Sequence, residues 1–180
     1  MNYFEGKVLQ MKRLLIMRHG KSNANKPGQE DIKRALSAKG HSAILEVANW
    51  MLNNSILPEI VLISKAQRTS ETWQLIKNVI GKKSILHSQE ALYLAGANEI
   101  LAQLSKINNN HNTALLIGHN PGLDILAQTL TGKGSNGAAA KNLQKGFPTA
   151  AMAIFKLKGN SWQSLTSDGA ELLTFLLPSE

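Results

Sequence analysis

Two histidines and two arginines follow closely after short apolar segments of this sequence. Arg18 and His19 come after the apolar run 14–17, Arg68 after the run 60–63, and His119 after the run 113–117. A neutral histidine can attack phosphorus, a protonated one can stabilise developing negative charge, and an arginine can pair with two phosphate oxygens at once. If the fold brings these four residues together, their types indicate phosphoryl chemistry.

The same apolar runs predict the strands that would hold these residues. Each run is brief, continuous and bounded by turn signals, as buried strands are. Segments with apolar residues at helical spacing separate the runs, and this alternation predicts one α/β domain with a largely parallel sheet. The carboxyl ends of parallel strands meet at one edge of a sheet, where ligands bind. We therefore expect the two histidines and the two arginines to converge at that edge.

Turn and capping residues divide the chain into its predicted elements. We predict strands over 14–17, 60–63, 84–87, 113–117 and 150–157, and two short strands near 162–166 and 171–176. We predict helices from an N-cap at Ser37 to residue 53, over 66–80, over 97–107, and from an N-cap at Asn120 through Pro121 to residue 130. Residues 131–146 lack acidic side chains, which predicts a mobile basic excursion with a short helix near 138–143. Residues 12–180 form one predicted domain, preceded by an extension over 1–11.

Composition excludes several classes of protein. The chain has no cysteine, so it has no disulfide framework, no thiolate nucleophile and no cysteine-bound zinc. A formal charge of +8 favours anionic partners, but aromatic residues make up only 5% of the chain and no basic run is interleaved with them, which argues against nucleic acid. No run is apolar enough to cross a bilayer and no secretory signal opens the chain. We expect a cytoplasmic, monomeric protein with no membrane contact.

Six fragments extend the pattern along nearly the whole chain. They are Leu15-Ile16-Met17-Arg18-His19-Gly20-Lys21-Ser22, Asp31-x-x-Arg34-x-Leu36, Ser64-x-Ala66-x-Arg68-Thr69-x-x-Thr72, Leu92-Tyr93, Leu116-Ile117-Gly118-His119-Asn120-Pro121-Gly122-Leu123 and Phe147-Pro148-Thr149. In this order they resemble the histidine phosphatase (phosphoglycerate mutase-like) superfamily, and most closely its SixA-type phosphohistidine phosphatases. The resemblance implies a three-layer α/β sandwich with helices on both faces of a mostly parallel sheet.

The resemblance also implies roles for individual residues. His19 would be the nucleophile that becomes phosphohistidine, Arg18 and Arg68 would clamp the phosphoryl oxygens, and His119 would complete the pocket. Asn25 and Asn120 are expected to contact the phosphate as well. We expect no cofactor and no metal, and neither a Walker-type loop nor a His-Glu-x-x-His motif occurs in the sequence.

Three positions depart from the family pattern. Ala35 and Lys65 stand where the family commonly has proline, and Lys65 would add a cation to the rim of the pocket. Leu94 stands where many relatives carry a glutamate acid, so the proton donor is left open. The closest resemblance makes phosphohistidine in a protein the first substrate hypothesis. The absence of this acid agrees with it, because a nitrogen leaving group needs less protonation than an alkoxide. The alternatives are small phosphomonoesters or phosphoramidates, and a non-catalytic module that binds phosphorylated ligands.

Overall fold

A six-stranded sheet forms the centre of the protein in the computed structural model, which describes residues 11–81 and 83–179. The predicted extension therefore lies outside the described residues, except for the exposed Met11. In chain order the strands are β1 (Arg13–Arg18), β2 (Ile60–Ser64), β3 (Ile85–Gln89), β4 (Thr113–Gly118), β5 (Met152–Leu157) and β6 (Ala170–Leu176). Their order in the sheet is β3-β2-β4-β1-β5-β6. The first four run parallel, and β5 and β6 are antiparallel additions at one side.

Helices cover both faces of this sheet, as predicted. They are α1 (Ala38–Asn53), α2 (Gln67–Ile80), α3 (Ala97–Leu104), α4 (Gly122–Leu130) and α5 (Gly137–Leu143). Because successive side chains of a strand point to opposite faces, Leu15 and Met17 of β1 pack with α1 and α2, whereas Leu14 and Ile16 pack with the other three helices. The α/β three-layer prediction is confirmed. None of the helices within residues 11–81 and 83–179 is long and apolar enough to span a bilayer.

Two predicted features of local structure are wrong. The segment predicted as a strand near 162–166 forms a short 3₁₀ helix, Trp162–Ser164, because the buried Trp162 indole donates a hydrogen bond to the His111 carbonyl and the Ser161 side chain caps the turn. Asn120 does not cap α4. Its amide donates to the carbonyl of Phe147 instead, and Pro121 occupies the N-cap position.

The region predicted as a mobile excursion is packed against the body of the protein. Asn136 caps α5 through its side chain, and Ala139 and Leu143 of this helix are buried. The helix contacts α4 and β6. The short helix expected near 138–143 is therefore present, but as part of one outer layer. The helix expected over 97–107 ends earlier, at Leu104, and continues as a turn to the buried Ile107.

Two glycines allow α1 to approach the end of β1. A Cβ atom at Gly20 would lie 2.9 Å from Cγ1 of Ile44, a residue of α1. A Cβ atom at Gly40, in the first turn of α1, would overlap the carbonyl oxygen of Lys21 and lie 2.9 Å from its nitrogen. This contact fixes the backbone directly after His19, so it sets the position of one predicted catalytic residue.

We expect Gly40→Ala to destabilise the protein although alanine is the better helix former. The new methyl group forces the Lys21 backbone away from α1, and such overpacking typically costs about 1–3 kcal/mol. Gly137→Ala is the matched control, because Gly137 is also helical but nothing lies within 4 Å of its Cβ position. That change should leave stability unchanged or raise it by up to about 1 kcal/mol. Urea unfolding measures both, and equal effects of the two substitutions would contradict this packing.

Candidate active site

The two histidines and two arginines meet in one pocket at the edge where β1, β2 and β4 end. Arg18 is the last residue of β1 and His19 follows it, Arg68 lies in the first turn of α2, and His119 follows β4. The cavity has a volume of about 380 Å³. We call it the histidine pocket; it is lined by Arg18, His19, Lys21, Ser22, Asp31, Arg34, Arg68, Leu94, His119, Asn120 and Thr149.

The His19 ring is held with its Nε2 lone pair directed toward Arg68. Nδ1 lies 2.7 Å from the carbonyl oxygen of Gly20, and because a carbonyl only accepts, Nδ1 carries the proton. Nε2 accepts a hydrogen bond of 3.2 Å from Nε of Arg68. Burial lowers the pKa of His19 to about 4, the charge of Arg68 acts in the same direction, and the bond to Gly20 opposes both. His19 is therefore neutral near pH 7, with an unprotonated Nε2 whose lone pair accepts from Arg68.

Arg68 fixes the tautomer of His119. A guanidinium only donates, so Nδ1 of His119 accepts from Nη2 of Arg68 at 3.3 Å and the ring proton lies on Nε2. A hydroxyl chain follows on the other side of the ring: Nε2 donates to Oγ of Ser64 at 2.7 Å, and Oγ of Ser64 lies 3.1 Å from Oγ1 of Thr69. Burial, followed by the neighbouring His19 and Arg68, lowers the pKa of His119 to about 3. The centroids of the His19 and His119 rings lie 5.1 Å apart.

Arg68 is 2% exposed and connects both histidines to Asp31. Its Nη1 donates to the Asp31 carbonyl at 2.8 Å, and its Nη2 donates to Oδ2 of Asp31 at 2.9 Å. Oδ2 also accepts from the hydroxyl of Tyr93 at 2.7 Å, and Oδ1 accepts from Nε of Arg34 at 2.9 Å. The Tyr93 hydrogen bond, more than the charges of Arg68 and Arg34, lowers the pKa of Asp31 to about 2. Asp31 is thus a fixed carboxylate.

Asp31, Arg34 and Tyr93 belong to this site although no function was predicted for them. All three occur in the fragments that carry the family resemblance, and the Asp31-x-x-Arg34 spacing places both residues on one side of the 3₁₀ turn Asp31–Lys33. That spacing was the feature of the sequence that could have indicated a role for Asp31 and Arg34. Their role could be assigned only once the fold showed that this turn lies against Arg68.

Arg18 and Asn120 share a single acceptor. Nη1 of Arg18 and Nδ2 of Asn120 each donate to the carbonyl oxygen of Phe147, both at 2.9 Å. Nε of Arg18 and Oδ1 of Asn120 are buried without a hydrogen-bond partner among the described residues. No carboxylate lies within ion-pair distance of Arg18 in the described chain. This arginine therefore brings an unpaired positive charge to the histidine pocket.

Asn25 does not line the histidine pocket. Ser22 forms an isolated bridge with Leu36, and Asn23 N donates to the Ala35 carbonyl, so the two ends of this loop are fastened together. Asn25 lies between these ties and is exposed. Ser22 and Arg34, on either side of this loop, line the pocket, whereas Asn25 lies outside its lining set.

The departures from the family pattern have separate locations. Leu94 lines the histidine pocket with a positive φ of 52°. Lys65 lies outside the lining set and pairs with Glu90 at 3.3 Å. Within the described ranges, no group of three or more His, Cys, Asp or Glu side chains is arranged to hold a metal ion.

We expect the free energy of unfolding to fall as the pH is lowered from about 6.5 to about 4. An unfolded histidine takes up a proton near pH 6.5, whereas the pKa values of folded His19 and His119 are about 4 and about 3, so unfolding binds protons in this interval. Urea unfolding across this interval measures the slope. A double His19→Gln/His119→Gln variant should have a shallower slope, and an unchanged slope would mean that these rings titrate normally.

Comparisons with known proteins find similar sequences and structures over most of this chain. Residues 14–92 match the sequence model of the histidine phosphatase superfamily (branch 1). An uncharacterized protein of Mycobacterium leprae is 30% identical over 165 residues, which cover 90% of this chain and 99% of that protein.

Two solved structures share the fold over nearly the full chain. One is described as a candidate phosphohistidine phosphatase, SixA, from Nakamurella multipartitia; it has a TM-score of 0.79 and 26% identity, and the match covers 94% of this chain and 98% of that one. The other is the protein histidine phosphatase SixA complexed with tungstate, with a TM-score of 0.75, 22% identity and coverage of 92% and 97%. The resemblance in the sequence is therefore confirmed: this chain belongs to the histidine phosphatase superfamily.

Proposed function

We propose that this protein removes phosphoryl groups from phosphohistidine in a protein, without a metal, through a phosphohistidine intermediate on His19. One observation carries the proposal: the neutral His19 ring has an unprotonated Nε2 in a pocket lined by three arginines and a lysine against one carboxylate. A neutral imidazole is the nucleophilic form, and guanidinium groups stabilise the oxygens of a transferring phosphoryl group. A solved structure with this fold is the protein histidine phosphatase SixA complexed with tungstate, an oxyanion, which is in keeping with the proposal.

In the first step, Nε2 of His19 attacks phosphorus while the bond from phosphorus to the substrate nitrogen breaks. N–H groups of Arg68 and Arg18 turn toward the phosphoryl oxygens and take up the developing charge. The leaving nitrogen keeps the bonding electron pair. A substrate imidazole that is already protonated on its other nitrogen leaves as a neutral ring, so this step needs no acid from the enzyme.

In the second step, water attacks the phosphorus of phospho-His19 and the bond to Nε2 breaks. Phosphate is released, and His19 regains its lone pair. We assign the proton of the attacking water to Nδ1 of His119, because the proton of that ring lies on Nε2, which donates it to Ser64, and Nδ1 is left as an acceptor. A bound phosphoryl dianion opposes the effect of the arginines, so it makes His119 a stronger base than it is in the empty pocket.

Proton donors to a leaving group are few in the histidine pocket, which supports the choice of a nitrogen leaving group. Leu94 supplies no proton. Asp31, the lining carboxylic acid, has a pKa of about 2 and is bound to Arg68 and Arg34 as a carboxylate. The Tyr93 hydroxyl already donates to Asp31, and burial together with that contact raises its pKa.

We expect a phosphohistidine protein and free phosphoramidate to be hydrolysed at least about a hundredfold more efficiently than alkyl phosphates. This is the lower range of what general acid catalysis contributes where a donor exists. The measurement is kcat/KM across this panel with a chelator present throughout, and His19→Ala as the inactive control. Equal values for alkyl phosphates and phosphoramidates would favour a general phosphomonoesterase. Tight phosphate binding without any turnover would favour a non-catalytic binding module.

A substitution at Leu94 sharpens this comparison. Leu94→Glu places a carboxylic acid at the rim of the pocket, with Leu94→Gln as its uncharged match. If the missing acid limits the hydrolysis of alkyl phosphates, the glutamate variant should have a higher kcat/KM for them than the glutamine variant. The two variants should have the same kcat/KM for phosphoramidate. A gain on both substrates would show that Leu94 acts by other means.

A further inference from the structure

A trough of about 440 Å³ opens beside the histidine pocket. We call it the lysine trough; it is lined by Lys21, Lys39, Ala43, Pro148, Thr149, Leu177, Pro178 and Ser179. Lys21 and Thr149 also line the histidine pocket, so the two cavities adjoin. We propose that the lysine trough binds an acidic segment next to the phosphorylated residue of a protein substrate. This inference rests on the proposed function.

The charge of the trough selects the chemistry of its occupant. Lys21 and Lys39 are exposed, and their side-chain ammonium groups form no hydrogen bond or ion pair within the described part of the chain. Glu46, on the same helix as Lys39, is occupied as an acceptor for the backbone N and the hydroxyl of Ser179. The two ammonium groups therefore face the trough without a partner, and carboxylates of a bound segment complement them.

The floor of the trough adds an apolar contact. Ala43, Pro148, Leu177 and Pro178 contribute carbon surface, and the side chain of Leu177 is 44% exposed. Pro148 directly follows Phe147, whose carbonyl accepts a hydrogen bond from Arg18. The apolar side of the lysine trough therefore lies next to the part of the histidine pocket that Arg18 lines. An acidic segment with an apolar side chain fits this combination better than a fully polar one.

The size of the trough argues for a polypeptide rather than a small phosphorylated molecule. A phosphoryl group and a small leaving group fit in the histidine pocket, which has a volume of about 380 Å³. The lysine trough adds a similar volume that is reached by a chain extending from the phosphorylated residue. A second hollow near Arg18 is lined by Lys145 but also by the carboxylate of Asp124, so its charge is mixed, whereas the described residues that line the lysine trough include two lysines and no carboxylate. An acidic flank is therefore directed to the lysine trough.

Lys39 is suited to a test because it does not stabilise its own helix. It lies in the first turn of α1, where the helix dipole disfavours a positive charge, so its removal should not weaken the fold. Lys83 is the matched control, since it is an exposed lysine just before β3, at the opposite edge of the sheet from the histidine pocket.

The experiment compares phosphohistidine peptides of equal length with acidic, neutral or basic flanks, at low and high ionic strength. We expect the acidic peptide to have the highest kcat/KM, with a preference that fades at high salt. Lys39→Ala should raise KM for the acidic peptide about threefold, the range of one exposed charge pair, with kcat nearly constant. Lys39→Glu should shift the preference toward the basic peptide. Lys83→Glu should behave as wild type.

Two results would overturn the proposal. One is equal kcat/KM for the three peptides, and the other is equal effects of the Lys39 and Lys83 variants. Fluorescence anisotropy with the acid-flanked phosphopeptide and the His19→Ala enzyme separates docking from catalysis. Binding that is lost in Lys39→Glu supports the trough even if the wild-type enzyme fails to cleave phosphohistidine. An affinity for the peptide that is unchanged in Lys39→Glu would contradict docking in the lysine trough, even if catalysis is as proposed.

Discussion

The buried guanidinium of Arg68 is the group on which the rest of the site depends. A charge with 2% exposure requires compensation, and Arg68 obtains it through four hydrogen bonds, to His19, to His119 and twice to Asp31. Leaving such a charge unpaired typically costs about 3–5 kcal/mol. Because a guanidinium only donates hydrogen bonds, each histidine nitrogen that faces it must be unprotonated and must accept through its lone pair. One cation therefore sets the tautomers of both rings, and its charge adds to the burial that lowers their pKa values and keeps them neutral.

Asp31 makes this arrangement compatible with an anionic ligand. Its carboxylate joins Arg68, Arg34 and Tyr93, and so fastens the 3₁₀ turn after the β1 loop to the first turn of α2. It also offsets one arginine charge, but Arg18 and Lys21 stay unpaired within the described chain. The pocket thus retains a net positive charge while its most deeply buried cation is satisfied. A phosphoryl dianion that enters the pocket can accept hydrogen bonds from N–H groups that are already in position.

The sequence was sufficient to predict the framework because its strands have a strong local signal. The apolar runs that became β1, β2 and β4 are short, continuous and end in polar residues, and the geometry of a parallel sheet then brings Arg18, His19 and His119 together. Arg68 followed from the same rule. The convergence of four residues separated by up to a hundred positions was therefore a consequence of topology.

Other features depend on contacts that no local pattern encodes. Asp31 and Tyr93 lie at short 3₁₀ turns, where periodicity is absent, and their partners come from distant segments. Asn25 was predicted to contact phosphate from its position after the Arg-His-Gly segment, but the backbone contacts of Ser22 and Asn23 with Leu36 and Ala35 close the loop, and Asn25 does not line the pocket. The amide of Asn120 is used by the carbonyl of Phe147 rather than by its own helix. In each case a long-range hydrogen bond outweighed the local preference.

The most direct test of this account is to identify the atom that carries the phosphoryl group during turnover. Rapid quenching with labelled phosphoramidate, followed by peptide mapping and NMR of the phosphorylated peptide, locates it. The account predicts an acid-labile, base-stable adduct on Nε2 of His19, because Nδ1 is protonated and bound to Gly20. An adduct on Nδ1, on His119 or on a hydroxyl, or turnover through no covalent adduct, would contradict it.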